Sequence, residues 1–327
     1  MPPASVLRVR DLSVRYRTRE ETVYAACNVS FELKAGQVLA LVGESGSGKS
    51  TAAMSILRLL PPEAQILSGA VEFDGHDLLA MQDRDLRTIR GRRISMIFQD
   101  PIAGLNPIIS IGEQVAEALR SHLNLDKREA RNRALSILQR VGLADPERVA
   151  RSYPFQLSGG MCQRVMIGIA TALDPEVIIA DEPTSALDVT VQAQILYQLE
   201  QLRKARGTSI LLITHNFGVV AQVADDVAVM YAGHIIETGT VDEMLSGPLH
   251  PYTHALLGTL PRLDNVGRSL AAIPGGAPDL SEPAGHCPFL SRCPKVMNVC
   301  RQEPPPQLAR GEHGTHPVAC YNPIWQA

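Results

Sequence analysis

Along most of the chain, apolar positions fall into short unbroken runs separated by stretches with helical spacing. VLALV (Val38–Val42) leads into a glycine-rich turn and then TAAMSILRLL, whose apolar residues recur at three and four, predicting strand, loop and helix. ISMIF (residues 94–98), VIIAD (Val177–Asp181) and ILLIT (residues 210–214) read as further buried strands, the last two separated by a helical pattern over residues 189–204. Strands alternating with helices predict an α/β fold with a mostly parallel sheet covered on both faces.

Three regions depart from that rhythm. LRVRDLSVRY and VSFEL alternate in the manner of a half-exposed antiparallel sheet, so an N-terminal β subdomain is expected. From about residue 106 to 173 strand signals vanish, and IGEQVAEALRSHL and REARNRALSILQRVGL carry helical spacing, which predicts an inserted helical subdomain. After Glu237 the strand pattern thins. Beyond residue 248 come one predicted helix (HPYTHALLGTLPR), a Pro/Gly linker (IPGGAPDLSEPAG) and a cysteine-bearing tail, read as a separate small unit. The expected division is therefore 1–247 and 248–327.

The 327 residues, 45% hydrophobic and 20% charged, suffice for a large core, and the net charge of -3 offers no global basic field for nucleic acid. No run approaches the 18 or so apolar residues that span a bilayer, and charges interrupt the N-terminal segment where a secretory leader would be apolar. A cytosolic chain is expected, with any membrane role exercised through a partner.

The loop GESGSGKS fits the pattern G-x-x-x-x-G-K-[ST] between an apolar strand and a helix, where backbone N–H groups and a helix N-terminus converge on an anion. Lys49 is placed to reach the outer phosphates of a nucleotide and Ser50 to ligate Mg²⁺, with Gly43, Ser45, Gly46, Gly48 and Thr51 completing the seat. VIIADEP delivers Asp181 and Glu182 to the end of a buried strand, Asp181 to hold Mg²⁺ through water and Glu182 to polarise an attacking water. A second glycine pair, in LSGGMCQR, offers N–H donors at a helix start, or is simply a helix cap.

Taken together, GESGSGKS, Gln99 in MIFQDP, LSGGMCQR, VIIADEPTSALD and ITHN resemble the ATP-binding subunit of an ABC transporter over about the first 240 residues. The resemblance implies a P-loop ATPase working as a head-to-tail dimer in which Ser158, Gly159 and Gly160 touch the γ-phosphate of the nucleotide held by the other chain. It further implies that Tyr16 stacks on adenine rather than facing the core, and that Gln99 senses Mg²⁺ and the attacking water. In the same way Asp188 would cross the dimer interface, and His215 would hydrogen-bond the γ-phosphate. Many relatives have aspartate where this chain has Asn216, which puts a charge-dependent hinge there in doubt. A soluble ABC ATPase of DNA repair or translation shares these motifs but usually carries a long coiled coil or tandem units; this chain shows neither.

MIFQDPIAGLNP, SGGMCQRVMI, VTVQAQIL, VMYAGHIIETG and HPYTHALL resemble the oligopeptide, dipeptide and nickel importer branch. That branch implies a paralogous ATPase partner, two membrane permeases docked on the segment after Gln99, an extracytoplasmic solute-binding protein, and a peripheral place on the cytoplasmic face of the membrane. Cys287, Cys293, Cys300 and Cys320, with five, six and nineteen residues between them, lack the short pairs of zinc knuckles. Four thiolates are nevertheless the ligand set of a [4Fe-4S] cluster, as some relatives are thought to hold. Zinc, with His286, His313 and His316 near enough in sequence to substitute, and free structural thiols are the alternatives.

Overall fold

The computed structural model describes residues 4–185, 188–259, 273–276, 278–310 and 316–324. The chain divides into two compact units, one formed by residues 1–4, 35–37 and 81–212, the other by 5–34, 38–80 and 213–327.

In the first unit the strands Ile94–Ile97 and Val177–Asp181 run parallel, with Ile94 opposite Val177 and Ile97 opposite Ala180, and Ser209–Thr214, which begins here, is next in order. Every residue of these three strands is buried, as continuous apolar runs in a two-sided parallel sheet require. The first is one residue shorter than the ISMIF run, because Phe98 turns outward and is exposed.

Helices complete this unit, and four of them, Ile111–Arg120, Lys127–Arg140, Pro146–Arg151 and Gly159–Thr171, fill the expected insertion. Their starts are written in side chains. Asp126 accepts from the Glu129 N–H while Glu129 reaches back to the Asp126 N–H, and Asp145 caps a helix whose first residue is Pro146. The long helix Val189–Arg206 starts at Asp188 and stops at Gly207, whose φ of 69° suits the left-handed cap.

In the second unit, Thr22–Lys34, Ser5–Arg17, Ala64–Phe73 and His76–Asp77 form the predicted antiparallel sheet in that order. Leu7, Val9, Leu12 and Val14 are buried at its centre. The buried strand Val38–Val42 pairs in parallel with Asp226–Tyr231, which turns through Ala232 and Gly233 into the antiparallel His234–Thr240. The helix after the phosphate loop is Lys49–Ile56, shorter than TAAMSILRLL suggests; Arg58, at φ 52°, lies just past its end.

The described residues beyond 248 are built into this unit. His316–Val318 pairs with His234–Thr240, Leu308–Arg310 pairs with His316–Val318, and the Ala319 N–H donates to the Ile236 carbonyl at 2.8 Å. Beneath them Glu237, fully buried, accepts from the backbone N–H groups of Leu249 and His250 and meets His316 Nε2 at 2.7 Å. Two three-residue strands carry no readable period, which is why the sequence shows thinning where the structure adds strands.

Candidate nucleotide-binding site

The phosphate loop is shaped by backbone crowding. Gly43 (φ 155°) and Gly48 (φ 100°) adopt angles that L side chains rarely take, and a Cβ there would lie 2.1 Å from the Met230 carbonyl oxygen and 1.9 Å from that of Ala25. The loop is thus pressed against two neighbouring strands, and the Gly233 N–H holds it by donating to the Ser47 carbonyl. Lys49 is the first residue of the helix and is buried; its Nζ donates to the carbonyls of Gly43 (2.9 Å) and Glu44 (2.8 Å) and to Ser47 Oγ (3.2 Å). A positive charge is therefore seated inside a ring of backbone, while Ser45 and Gly46 at the tip are exposed and Ser50 follows Lys49 on the first helical turn.

Tyr16, half-buried on the strand Ser5–Arg17, approaches this helix, its hydroxyl 3.2 Å from Thr51 Oγ1. It does not enter the core.

In the other unit, Asp181 ends its buried strand at 4% exposure, and Glu182 turns the chain at φ 47°, an uncommon angle for a residue with a side chain. The turn is braced where Ser185 donates to the Glu182 carbonyl through both its N–H and its hydroxyl. Gln163, buried on the helix Gly159–Thr171, donates through Nε2 to the Pro183 carbonyl at 2.8 Å, tying that helix to the Glu182 turn. Motif spacing does not single out Gln163 as functional. A buried amide in an otherwise apolar helical face is the available signal.

The LSGGMCQR turn is built differently. Ser158 caps the helix by accepting from the Met161 N–H at 3.3 Å, and Ser158 and Gly159 are exposed. A Cβ on Gly159 would meet nothing within 4 Å. Gln99 lies exposed two residues past the strand Ile94–Ile97. Asp188, also exposed, caps its helix through the Val191 N–H at 2.9 Å. In the unit of the phosphate loop, His215 is exposed immediately after the strand Ser209–Thr214, and Asn216 caps the next helix by accepting from the Gly218 N–H. A neutral amide suffices for that cap.

All four tail cysteines line one cavity of about 10 Å³ together with His250 and Phe289. Among the described residues, however, no three His, Cys, Asp or Glu side chains are gathered so as to hold a metal ion. Burial pushes the Cys287 and Cys320 thiols up to about 11, so neutral thiols face this cavity at neutral pH. Of the expected substitute zinc ligands, His316 is bound to Glu237 and His286 lines a different pocket; His313 lies outside the described residues.

With this geometry in view, residues 26–185 match the ABC transporter family and residues 236–300 match the oligopeptide/dipeptide transporter C-terminal region. The chain is 48% identical to the dipeptide transport ATP-binding protein DppD of Bacillus subtilis over 97% of this chain and 94% of that one. It is 46% identical to the oligopeptide transport ATP-binding protein OppD of the same organism over 93% of this chain and 85% of that one. The dimeric structure of a post-hydrolysis state of the ATP-binding cassette MJ0796 bound to ADP and Pi superposes with a TM-score of 0.65 at 30% identity, covering 72% of this chain and 98% of that one. The chain belongs to the ATP-binding subunits of ABC transporters, in the oligopeptide/dipeptide branch.

Proposed function

We propose that this ATPase powers import of peptides or similar small solutes. It would pair head to tail with a paralogous ATPase and dock on two membrane permeases at the cytoplasmic face, the solute arriving from an extracytoplasmic binding protein. The peptide-transport names of its relatives support the solute class. Among the described residues no helix is long and apolar enough to cross a membrane, so the proposed membrane contact is peripheral. Ile102 and Ile108, 56% and 82% exposed in the segment after Gln99, are the apolar contacts proposed for the permeases.

One observation carries the dimer reading. Gly159 is exposed, has no left-handed φ and has no described neighbour that a methyl group would strike, so nothing among the described residues requires glycine there. A demand arising outside the chain, close approach of a phosphate to the helix N-terminus, supplies the reason.

The roles follow from the chemistry. Lys49 and the loop N–H groups take the β- and γ-phosphates, while Tyr16 takes the adenine. Ser50, Asp181 and Gln99 would hold Mg²⁺, which would neutralise charge on the phosphates. Glu182 accepts a proton from the water that attacks the γ-phosphorus as the bond to the bridging oxygen breaks, and His215 holds the γ-phosphate in line. Ser158, Gly159, Gly160 and Asp188 act across the dimer. Glu182→Gln is expected to keep ATP binding, cut turnover at least about a hundredfold and trap a closed dimer on size exclusion; full turnover would reject Glu182 as the base.

Cys287, Cys293, Cys300 and Cys320 are the residues that would hold a [4Fe-4S] cluster. All four line one cavity, although among the described residues no three are gathered round a metal position; what favours the cluster is the all-thiol donor set, with zinc on the same four sulfurs as the alternative. Such a cluster would crosslink the tail, and its binding would displace thiol protons. A colourless, iron-free anaerobic preparation with a folded tail would exclude it.

A further inference from the structure

Glu44, the second residue of the phosphate loop, has every polar group engaged. Its N–H donates to Tyr252 Oη at 2.8 Å, its carbonyl accepts from Lys49, and its carboxylate receives both terminal nitrogens of Arg292, at 2.7 and 3.1 Å. Two of these three restraints come from beyond residue 248.

Arg292 is built for this contact. Its side chain is only 6% exposed, its Nε donates to the Pro274 carbonyl, and its guanidinium lies 5.8 Å from the centre of the Tyr231 ring. Tyr231, Tyr252 and Phe289 pack ring against ring at 4.6 to 5.5 Å beside it. Lys49, five residues after Glu44, seats the positive charge that faces phosphate; an unneutralised carboxylate at position 44 would repel the same anion.

We propose that Arg292 is a positioning residue for nucleotide binding: its bidentate pair cancels the Glu44 charge and, with Tyr252, holds the loop backbone in its binding shape. ATP affinity thereby depends on the C-terminal extension. The inference rests on the reading of the Lys49 loop as the triphosphate seat. A merely structural Arg292 would support the tail without changing the affinity of the folded protein.

The test is ATP affinity of the full chain by calorimetry, with melting temperature measured alongside. R292Q is expected to weaken ATP about tenfold, the size of one uncompensated charge within several ångströms at protein-surface dielectric. R292K, which keeps the charge but not the two-pronged geometry, should lose less. Adding E44Q to R292Q should restore most of the affinity, since the offending carboxylate is then gone. Wild-type affinity in R292Q, whatever its melting temperature, overturns the proposal, as does an R292Q/E44Q protein that binds more weakly than R292Q alone. Should R292Q fail to fold, R292K with and without E44Q carries the same comparison. Lys49→Ala separates the two levels: normal ATP binding in that variant sinks the loop reading itself, whereas lost binding there together with an unaffected R292Q sinks only the role of Arg292.

Discussion

The chain carries two glycine-containing turns at helix starts, and they are glycine-bearing for opposite reasons. In the phosphate loop, Gly43 and Gly48 are imposed from within, by left-handed backbone and by carbonyl oxygens about 2 Å from any added Cβ. In the LSGGMCQR turn, Gly159 has no left-handed φ and open space around it. The first turn is completed by its own chain, including residues more than 200 positions away. The second is left unfinished, and the proposed second protomer is what finishes it. Identical-looking motifs can thus differ in whether their restraint is intramolecular, and the space around a Cβ tells them apart.

The largest expected effect is on the first turn. Gly48→Ala must displace the Ala25 backbone as well as strain φ, so a stability loss of about 3 kcal/mol or more in chemical denaturation and loss of ATP binding are expected; an unchanged midpoint with normal binding would break the contrast.

Acid should also act on this side. His250 is buried, its Nδ1 accepts the Tyr252 N–H at 3.0 Å, and burial holds its pKa down at about 4, only partly opposed by Glu237. Because the folded state resists protonation that the unfolded chain accepts near pH 6.5, this stability is present above pH 6.5. It is lost as pH falls toward 4, by up to about 3 kcal/mol. Denaturation midpoints across that window should slope with pH in the wild type, and H250N, with an untitratable acceptor, should flatten the slope.

The smallest stability effect belongs to the second turn. Gly159→Ala should leave stability within about 0.5 kcal/mol of wild type and leave ATP binding by the single chain intact. Turnover of the assembled ATPase should fall about tenfold, the value of one charge-assisted hydrogen bond lost across the dimer. Equal turnover would mean the turn is only a helix cap.

Much of this is legible in residue spacing alone. VLALV and VIIAD are strands of the predicted extent, because five buried residues in a row between turns suit a strand covered on both faces. Lys49, Glu182 and Ser158 stand out because the chemistry proposed for them depends on near neighbours at fixed spacing. The strands Leu308–Arg310 and His316–Val318 do not, since three residues form a strand only when an existing edge supplies partners. Gln163 and Tyr252 escape notice because each looks like an ordinary core position until its partner is known.

What the sequence determined by itself was the alternation of the apolar strands with helices, the glycine-rich loop before Lys49 and the acidic strand end, all local consequences of spacing and residue type. The tertiary structure alone decided that Arg292 reaches Glu44 across 248 positions, that four scattered cysteines share a cavity, and that no described residue stands against Gly159. Partners so far apart in the chain share no periodicity, and whether a side chain is satisfied or left open depends on which surfaces pack around it.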